Sequence, residues 1–475
     1  MKFGTSGLRG LSSDLKGPAS YRYAAAFGRY LLQSGKAEQG GSILLGRDFR
    51  ASSPQIMANC AAALVDLGFE VLDCGTVPTP ALALYGLESQ CPSLMITGSH
   101  IPADRNGIKF YRADGEIDKD DETAISRIAA SLDTAAADRD APLLAERNTE
   151  CAALFMARNK ALLPAKALVG LTVGVYQHST VARDMLEEIL THYGAEVLPL
   201  GRSDTFIPVD TEAVSAETRN RLKLWAAEHE LNAIVSADGD GDRPLVANES
   251  GDVIRGDLLG LVAAQFLDAA LIVTPVTSNS GIERAGGCKV LRTRVGSPYV
   301  IAGMEDAVSG GEARVVGFEA NGGLLTGSDF TVEGQILKAL PTRDCFLPIL
   351  AILHQANRKR LPLSQFAASF KLPVAAADRL ENIPVEAGAA LMAHLRAGPD
   401  ELLQFLAAIG EVVATSNVDG LRVTLKDGRI IHFRPSGNAP EMRCYVEAQD
   451  AESAEALLRA GLERVRTWLE AYPVT

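Results

Sequence analysis

The chain lacks any apolar stretch long enough to cross a bilayer. Met1-Lys2-Phe3 runs directly into a Gly-rich segment, where a secretory signal would need an apolar core. It has no basic excess either: 46 Lys and Arg against 59 Asp and Glu leave a formal charge of -13. That balance excludes a general nucleic-acid binder, whose affinity comes from cations on phosphates, but not a small phosphorylated ligand held by a few local cations. The seven cysteines (60, 74, 91, 151, 288, 345 and 444) form no C-x-x-C pair, and the seven histidines no H-x-x-x-H. A disulfide framework and a zinc site are therefore not expected, and reduced thiols in a cytoplasmic protein are. The Gly-rich nucleotide motifs G-x-x-x-x-G-K-[ST] and G-x-G-x-x-G do not occur.

What is present is a long chain of 475 residues, 47% of them hydrophobic, enough for three or four domains with cores of their own. Helix and strand signals alternate. Ser53 and Pro54 read as N-cap and first helical residue, an apolar stripe from Ile56 to Val65 follows, Gly68 stops it, and 69–72 reads as a strand. The pattern returns with a strand at 171–176, Thr180 as cap, and a stripe from Val181 to Tyr193 closed by Gly194. The two copies end alike, GFEVLDCG at 68–75 and GAEVLPLG at 194–201. A weaker third copy has a strand at 271–274, a helix from about Ser278, and a strand at 289–292. Such spacing predicts three related α/β domains rather than a solenoid. Breaks at 134–142, near Arg255-Gly256 and at 371–373 divide the chain into 1–145, 146–254, 255–370 and 371–475. The last segment reads as α+β, with strands at 412–423 and 429–433 and a final amphipathic helix.

Four segments carry chemistry. ADGDGDRP, from Ala237, follows a buried strand, and ligands gather at strand C-termini in open α/β sheets. Asp238, Asp240 and Asp242 alternate with glycines, so three hard oxygen ligands suited to Mg²⁺ or Ca²⁺ can converge beside Arg243. An EF-hand loop would place Glu249 twelfth, but Arg243 stands where its turn needs Gly. TGSHIPADRNGIKFY, from Thr97, puts Ser99 on a turn before His100. Asn106-Gly107 is a tight-turn pair that would bring Lys109 back toward Ser99. On these residues alone Ser99 reads more readily as a turn cap than as a nucleophile, and no G-x-S-x-G elbow surrounds it. RPSGNAPEMR, from Arg434, offers an anion nest at Ser436, Gly437 and Asn438 between Arg434 and Arg443. GFEANGG, from Gly317, presents Glu319 and Asn321 as hydrogen-bonding partners for hydroxyls, and a plain polar loop reads equally well. FGTSGLRG places Arg9 in a Gly-rich turn.

In order, FGTSGLRG, TGSHIPADRNGIK, ADGDGDR, GFEANGG and RPSGNAP resemble the α-D-phosphohexomutase superfamily over essentially the whole chain. The resemblance implies three α/β domains with mixed sheets sandwiched by helices and a C-terminal α+β domain, around a central cleft. It implies Ser99 as a phosphoserine, one Mg²⁺ per chain held by Ser99, Asp238, Asp240 and Asp242, and Lys109 as general acid/base. Arg9, Arg243 and His100 join that catalytic group. Ser297, Glu319, Asn321, Arg434, Ser436, Gly437, Asn438 and Arg443 are then substrate contacts, with a hexose 1,6-bisphosphate as activator and intermediate. Two loops depart from the pattern. The sugar loop ends Asn321-Gly322-Gly323 where much of the family has Ser-Gly-His, and the phosphate loop has Asn438-Ala439-Pro440. Gly296-Ser297 stands where some relatives have Gly-His. The variant loops are most similar to those of bacterial members acting on mannose phosphates. The expectation is a cytoplasmic isomerase of phosphosugars, monomer or homodimer, without nucleic-acid or membrane partners. Glucose or glucosamine phosphates are the same-chemistry alternatives; a non-catalytic phosphosugar binder and a phosphatase are the others.

Overall fold

The computed structural model describes residues 2–3, 7–132, 142–285, 287–436 and 440–471. The chain divides into two compact units, residues 1–273 with 296–369, and residues 274–295 with 370–475.

Within the first unit, apolar runs flanked by polar loops become the inner strands of mixed sheets. The first sheet runs Lys2–Phe3, Leu8–Leu11, Arg105–Arg112, Ser93–Ile96, Ser42–Arg47, Glu70–Thr76, Ala145–Glu146. Its strands at 42–47, 70–76 and 93–96 are parallel, and Arg105–Arg112 returns antiparallel with Met95 opposite Lys109. Leu45, Leu94, Ile96, Ile108 and Phe110 pack beneath Phe27, Leu31, Ile56 and Leu64 of the helices Ser20–Gln33 and Ser53–Asp66. Burying each such side chain contributes about 1.5–3 kcal/mol. The second sheet repeats the plan. Glu196–Leu200, Thr172–Tyr176 and Ala233–Ala237 are parallel, and Pro244–Ala247 returns antiparallel. In the third, residues 271–273 run parallel to 315–317, and Leu324–Thr326 returns antiparallel to Val315–Phe318. Leu340–Asp344 pairs with Leu324–Thr326 beyond it.

In all three sheets the chain leaves the last parallel strand through one of the motif loops: 97–104, 238–243 and 319–323. Strand C-termini at the point where the sheet changes direction are thus the positions of the candidate chemistry.

The second unit's sheet, Val374–Glu381, Glu441–Ala448, Ile430–Pro435, Leu421–Leu425, Val412–Ser416, is antiparallel throughout. Leu391, Phe405, Leu406, Val423, Phe433, Met442, Leu457 and Val465 form its core. The span 412–423 is two strands, broken by a turn at Gly420 with φ +76°.

Four local expectations are corrected. Ser53 is inside its helix, whose N-cap is Ser52, and its hydroxyl donates to Asp48 Oδ1 at 2.6 Å. Thr180 is not the cap of the helix Arg183–His192, whose N-cap is Ala182: Thr180 Oγ1 accepts from the Ala182 N–H at 3.3 Å and donates to the Asp238 carbonyl at 2.6 Å. The helix expected from Ser278 is only Ile282–Ala285. Asn106-Gly107 is not a turn but lies within the strand Arg105–Arg112, the buried Asn106 amide donating to Ser52 and Ser53. The span 134–142 falls almost wholly outside the described residues.

Candidate active site

Ser99 follows the strand Ser93–Ile96 in the left-handed region, φ +53°, an unusual conformation for a residue with a side chain and a mark of functional turns. Its N–H donates to Thr97 Oγ1 at 2.8 Å and its Oγ to Asp238 Oδ2 at 2.5 Å. Lys109, from the neighbouring strand, is buried, and its Nζ donates to Asp240 Oδ2 and Asp242 Oδ2, each at 2.6 Å. Lys109 therefore meets the aspartates opposite Ser99. A longer side chain on residue 239 is excluded, since a Cβ there would fall 2.8 Å from the Ser99 carbonyl oxygen and 2.9 Å from the Phe206 ring.

The three aspartates are fully buried, with one ligand oxygen of each within 4.8 Å of the others. Burial and the two neighbouring carboxylates push Asp238 well above the usual carboxylate range. Burial opposes ionisation of Asp242 as well, but Arg343, Lys109 and Arg243 outweigh it and hold Asp242 below that range. Burial pulls Lys109 down, yet Asp240 and Asp242 prevail and keep it above its ordinary value. Two oxygens, Asp240 Oδ1 and Asp242 Oδ1, are buried without a hydrogen-bond partner among the described residues. Buried carboxylate oxygens without donors are costly unless an ion takes them, so the donor set fits a hard divalent cation.

Around this cluster, Arg243 Nη1 lies 2.9 Å from His100 Nδ1, and His100 Nδ1 lies 3.2 Å from Ser99 Oγ. Burial, then Arg243, lowers His100 to about 3, leaving a neutral imidazole. Arg9 is lowered to about 10 by burial, with Arg243 and Arg343 adding repulsion. Glu319 Oε2 accepts from Arg343 Nη1 at 3.0 Å. Asn321 Oδ1 accepts from the Gly323 N–H at 3.0 Å, which shapes the loop. Ser297 opens the helix Ser297–Ser309, and its Oγ is buried without a hydrogen-bond partner among the described residues. In the second unit, Arg434 and Arg443 face each other across adjacent strands. Arg434 Nε donates to Asp419 Oδ2 at 2.9 Å, Arg443 Nη2 to Glu441 Oε1 at 2.5 Å, and the Ser436 N–H to the Glu441 carbonyl at 2.9 Å. Gly437 and Asn438 lie outside the described residues.

Sequence reasoning missed four residues. Arg343 donates Nε and Nη2 to Asp242 Oδ2 at 3.0 and 2.9 Å. Thr79 Oγ1 donates to Asp240 Oδ2 at 2.6 Å. Asp48 and Arg50 form a buried ion pair at 3.2 Å, and Arg50 donates to the carbonyls of Ser99, Ile101, Pro102 and Arg105 at 2.6–2.9 Å. GRDFR follows the strand Ser42–Arg47, so the strand-end rule that singled out Asp238 applied to it too. Arg343-Asp344 had a fainter signal, two charges at the end of the strand Leu340–Asp344.

A serine on a strained turn, an acidic cluster and several cations stand together at the ends of repeated mixed sheets, an arrangement suited to phosphoryl transfer. The chain belongs to the phosphoglucomutase/phosphomannomutase family, whose members are isomerases that move a phosphoryl group within a sugar phosphate. It matches the alpha/beta/alpha domain I of that family over residues 1–136, domain III over 255–372 and the C-terminal domain over 380–461. It is 55% identical to a phosphomannomutase of Sinorhizobium fredii, over 97% of this chain and 98% of that one. It is 40% identical to a phosphomannomutase of Salmonella muenchen, over 99% and 96%. In fold it is similar to the N-acetylphosphoglucosamine mutase of Aspergillus fumigatus, solved with GlcNAc-6P and magnesium. There the TM-score is 0.62 at 13% identity, covering 98% of this chain and 96% of that one.

Proposed function

We propose that this chain is a cytoplasmic Mg²⁺-dependent phosphomannomutase, interconverting mannose 6-phosphate and mannose 1-phosphate through phosphorylated Ser99 and a hexose 1,6-bisphosphate. The observation that carries the reading is the Ser99 hydroxyl, 2.5 Å from Asp238 within the buried aspartate cluster. The two phosphomannomutase relatives, each matched along nearly their full length, support mannose as the sugar.

Four buried or half-buried cations (Arg9, Lys109, Arg243, Arg343) meet four acids (Asp238, Asp240, Asp242, Glu319) in this site. A phosphoserine dianion would add two negative charges beside Asp238, the amount a divalent cation offsets. Held by the three aspartates and the phosphoserine, Mg²⁺ supplies charge neutralisation at the transferred group. A sugar hydroxyl attacks the phosphorus, its P–O bond forms as the P–Oγ bond to Ser99 breaks, and the second transfer reverses this at the other end of the sugar. Asp240 and Asp242 hold Lys109 as the ammonium, the form that donates a proton. Giving that proton to the departing Ser99 Oγ leaves the amine, which takes the proton of the attacking hydroxyl, so Lys109 ends each transfer as the ammonium again. Arg9 and Arg243 neutralise phosphate oxygens, and the neutral His100, whose Nδ1 accepts from Arg243 Nη1, orients Arg243. Glu319, Asn321 and Ser297 are the sugar-side contacts. Arg434, Ser436, Gly437, Asn438 and Arg443 take the phosphate that is not transferred. One such group for each of 1–145, 146–254, 255–370 and 371–475 supports that four-part division.

Intact mass after incubation with mannose 1,6-bisphosphate should show one added phosphate on the wild type and none on Ser99→Ala, which should also lose turnover. A Ser99→Ala protein that turns over normally would sink the mechanism. A higher kcat/KM on glucose or glucosamine 1-phosphate than on mannose 1-phosphate would overturn the choice of sugar.

A further inference from the structure

Glu319 and Asp242 lie at the ends of different sheets, yet one side chain grips both. Arg343, from the strand Leu340–Asp344, has only 3% of its side chain exposed. Its Nε and Nη2 hold Asp242 Oδ2 at 3.0 and 2.9 Å, and its Nη1 holds Glu319 Oε2 at 3.0 Å. A guanidinium is a rigid planar fork, so the two carboxylates are fixed relative to each other. The Arg343 stem also fills the space beside the sugar loop. A Cβ on Gly323 would fall 2.6 Å from Arg343 Cδ and 2.8 Å from Cγ. Residue 323 is where loops ending Ser-Gly-His carry histidine, so here a side chain has left the loop and a guanidinium enters from the adjoining strand.

We infer that Arg343 is a positioning residue that sets the sugar preference of this site, aiming Glu319 from the space that Gly323 leaves and tying it to Asp242. The inference rests on Glu319 being a sugar contact, as proposed above. Lys109 Nζ holds the same Asp242 oxygen at 2.6 Å. Removing Arg343 therefore takes a positive charge from Asp242 but leaves it oriented, whereas Glu319 loses a donor that aims it.

The two effects have opposite signs, which gives the test. In the full chain, Arg343→Ala should raise KM for mannose 1-phosphate roughly tenfold or more. It should also narrow the mannose-to-glucose ratio of kcat/KM. The same variant should bind Mn²⁺, titrated by electron paramagnetic resonance in the absence of sugar, more tightly than the wild type, because the site gains net negative charge. Arg343→Lys keeps the charge but not the fork, so KM should still rise while Mn²⁺ affinity stays at the wild-type value. Gly323→His should weaken sugar binding by collision with Arg343, and combining it with Arg343→Ala should recover KM beyond either single variant. An unchanged KM in Arg343→Ala or Arg343→Lys overturns the inference. So does a loss of sugar and Mn²⁺ affinity that merely follows a fall in melting temperature. Should Arg343→Ala not fold, Arg343→Lys decides. A wild type inactive on hexose phosphates would refute the function proposed above, while the Mn²⁺ contrast between the Ala and Lys variants would still report on the fork.

Discussion

Single residues set the proton chemistry. His100 is lowered from 6.5 to about 3 by burial and then by Arg243, so its neutral form belongs to the fold. Its ring resonances should not titrate between about pH 5 and 8. The unfolded chain takes that proton as pH falls below 6.5, so His100 weakens the fold progressively from there down to about 3. Asp344 behaves in the opposite sense: burial raises it from 3.8 to about 6, against the pull of Arg158 and the Phe346 N–H. Its contribution is intact below 3.8 and lost as pH rises through about 6. Asp344→Asn keeps the acceptor for the Phe346 N–H and should raise the melting temperature at pH 8 but not at pH 4. The gain is on the order of 2–3 kcal/mol at most. Ser99 and the three aspartates were legible from sequence because neighbouring glycines and strand ends frame them, whereas Lys109 reaches the aspartates from a strand and not through the turn expected at 106–107. Arg343 and Thr79 were not, because their partners are distant in the chain: 101 residues separate Arg343 from Asp242, and 161 separate Thr79 from Asp240. Arg50 stands at a strand end beside Asp48, but the carbonyls it holds lie 49–55 residues further on.

Among the elements, the loop carrying Ser99 is held by its neighbour rather than by itself. Arg50 donates to three of its carbonyls and to that of Arg105 at the start of the next strand, and stacks 3.9 Å over Phe206, while Arg183 lies 4.4 Å over Phe49 in a reciprocal exchange. Arg50→Met removes those donors and leaves Asp48 buried without its cation. It should cost about 3–5 kcal/mol in urea unfolding. Turnover should fall further than KM rises, since the turn of Ser99, the proposed nucleophile, is what loosens. Asp240→Asn removes a ligand oxygen while keeping the side chain's volume and should sharply reduce Mg²⁺-dependent turnover, read as activity against Mg²⁺ concentration. Apolar runs ending in polar turns revealed the inner strands. Caps were misplaced because the Ser53 and Thr180 hydroxyls are taken by tertiary partners, Asp48 and the Asp238 carbonyl.

At the scale of the whole molecule, the second unit's main core, drawn from residues 376–469, is closed on itself. The fragment 371–475 should therefore unfold cooperatively alone, checked by far-ultraviolet circular dichroism against temperature; a non-cooperative melt would refute it. The repetition of sheets was legible from matching strand ends at 68–75 and 194–201, whereas the third copy was faint because its helix shrank to four residues. On the assignment proposed above, the three loops that leave the last parallel strand would carry a nucleophile in one sheet, cation ligands in the next and a sugar-side acid in the third. This is a division of labour among copies of one blueprint. With the work divided in that way, each copy could drift in sequence without rewriting the other two, and the hexose accepted could change through residues 319–323 and their supporting strand while the phosphoryl chemistry was inherited intact.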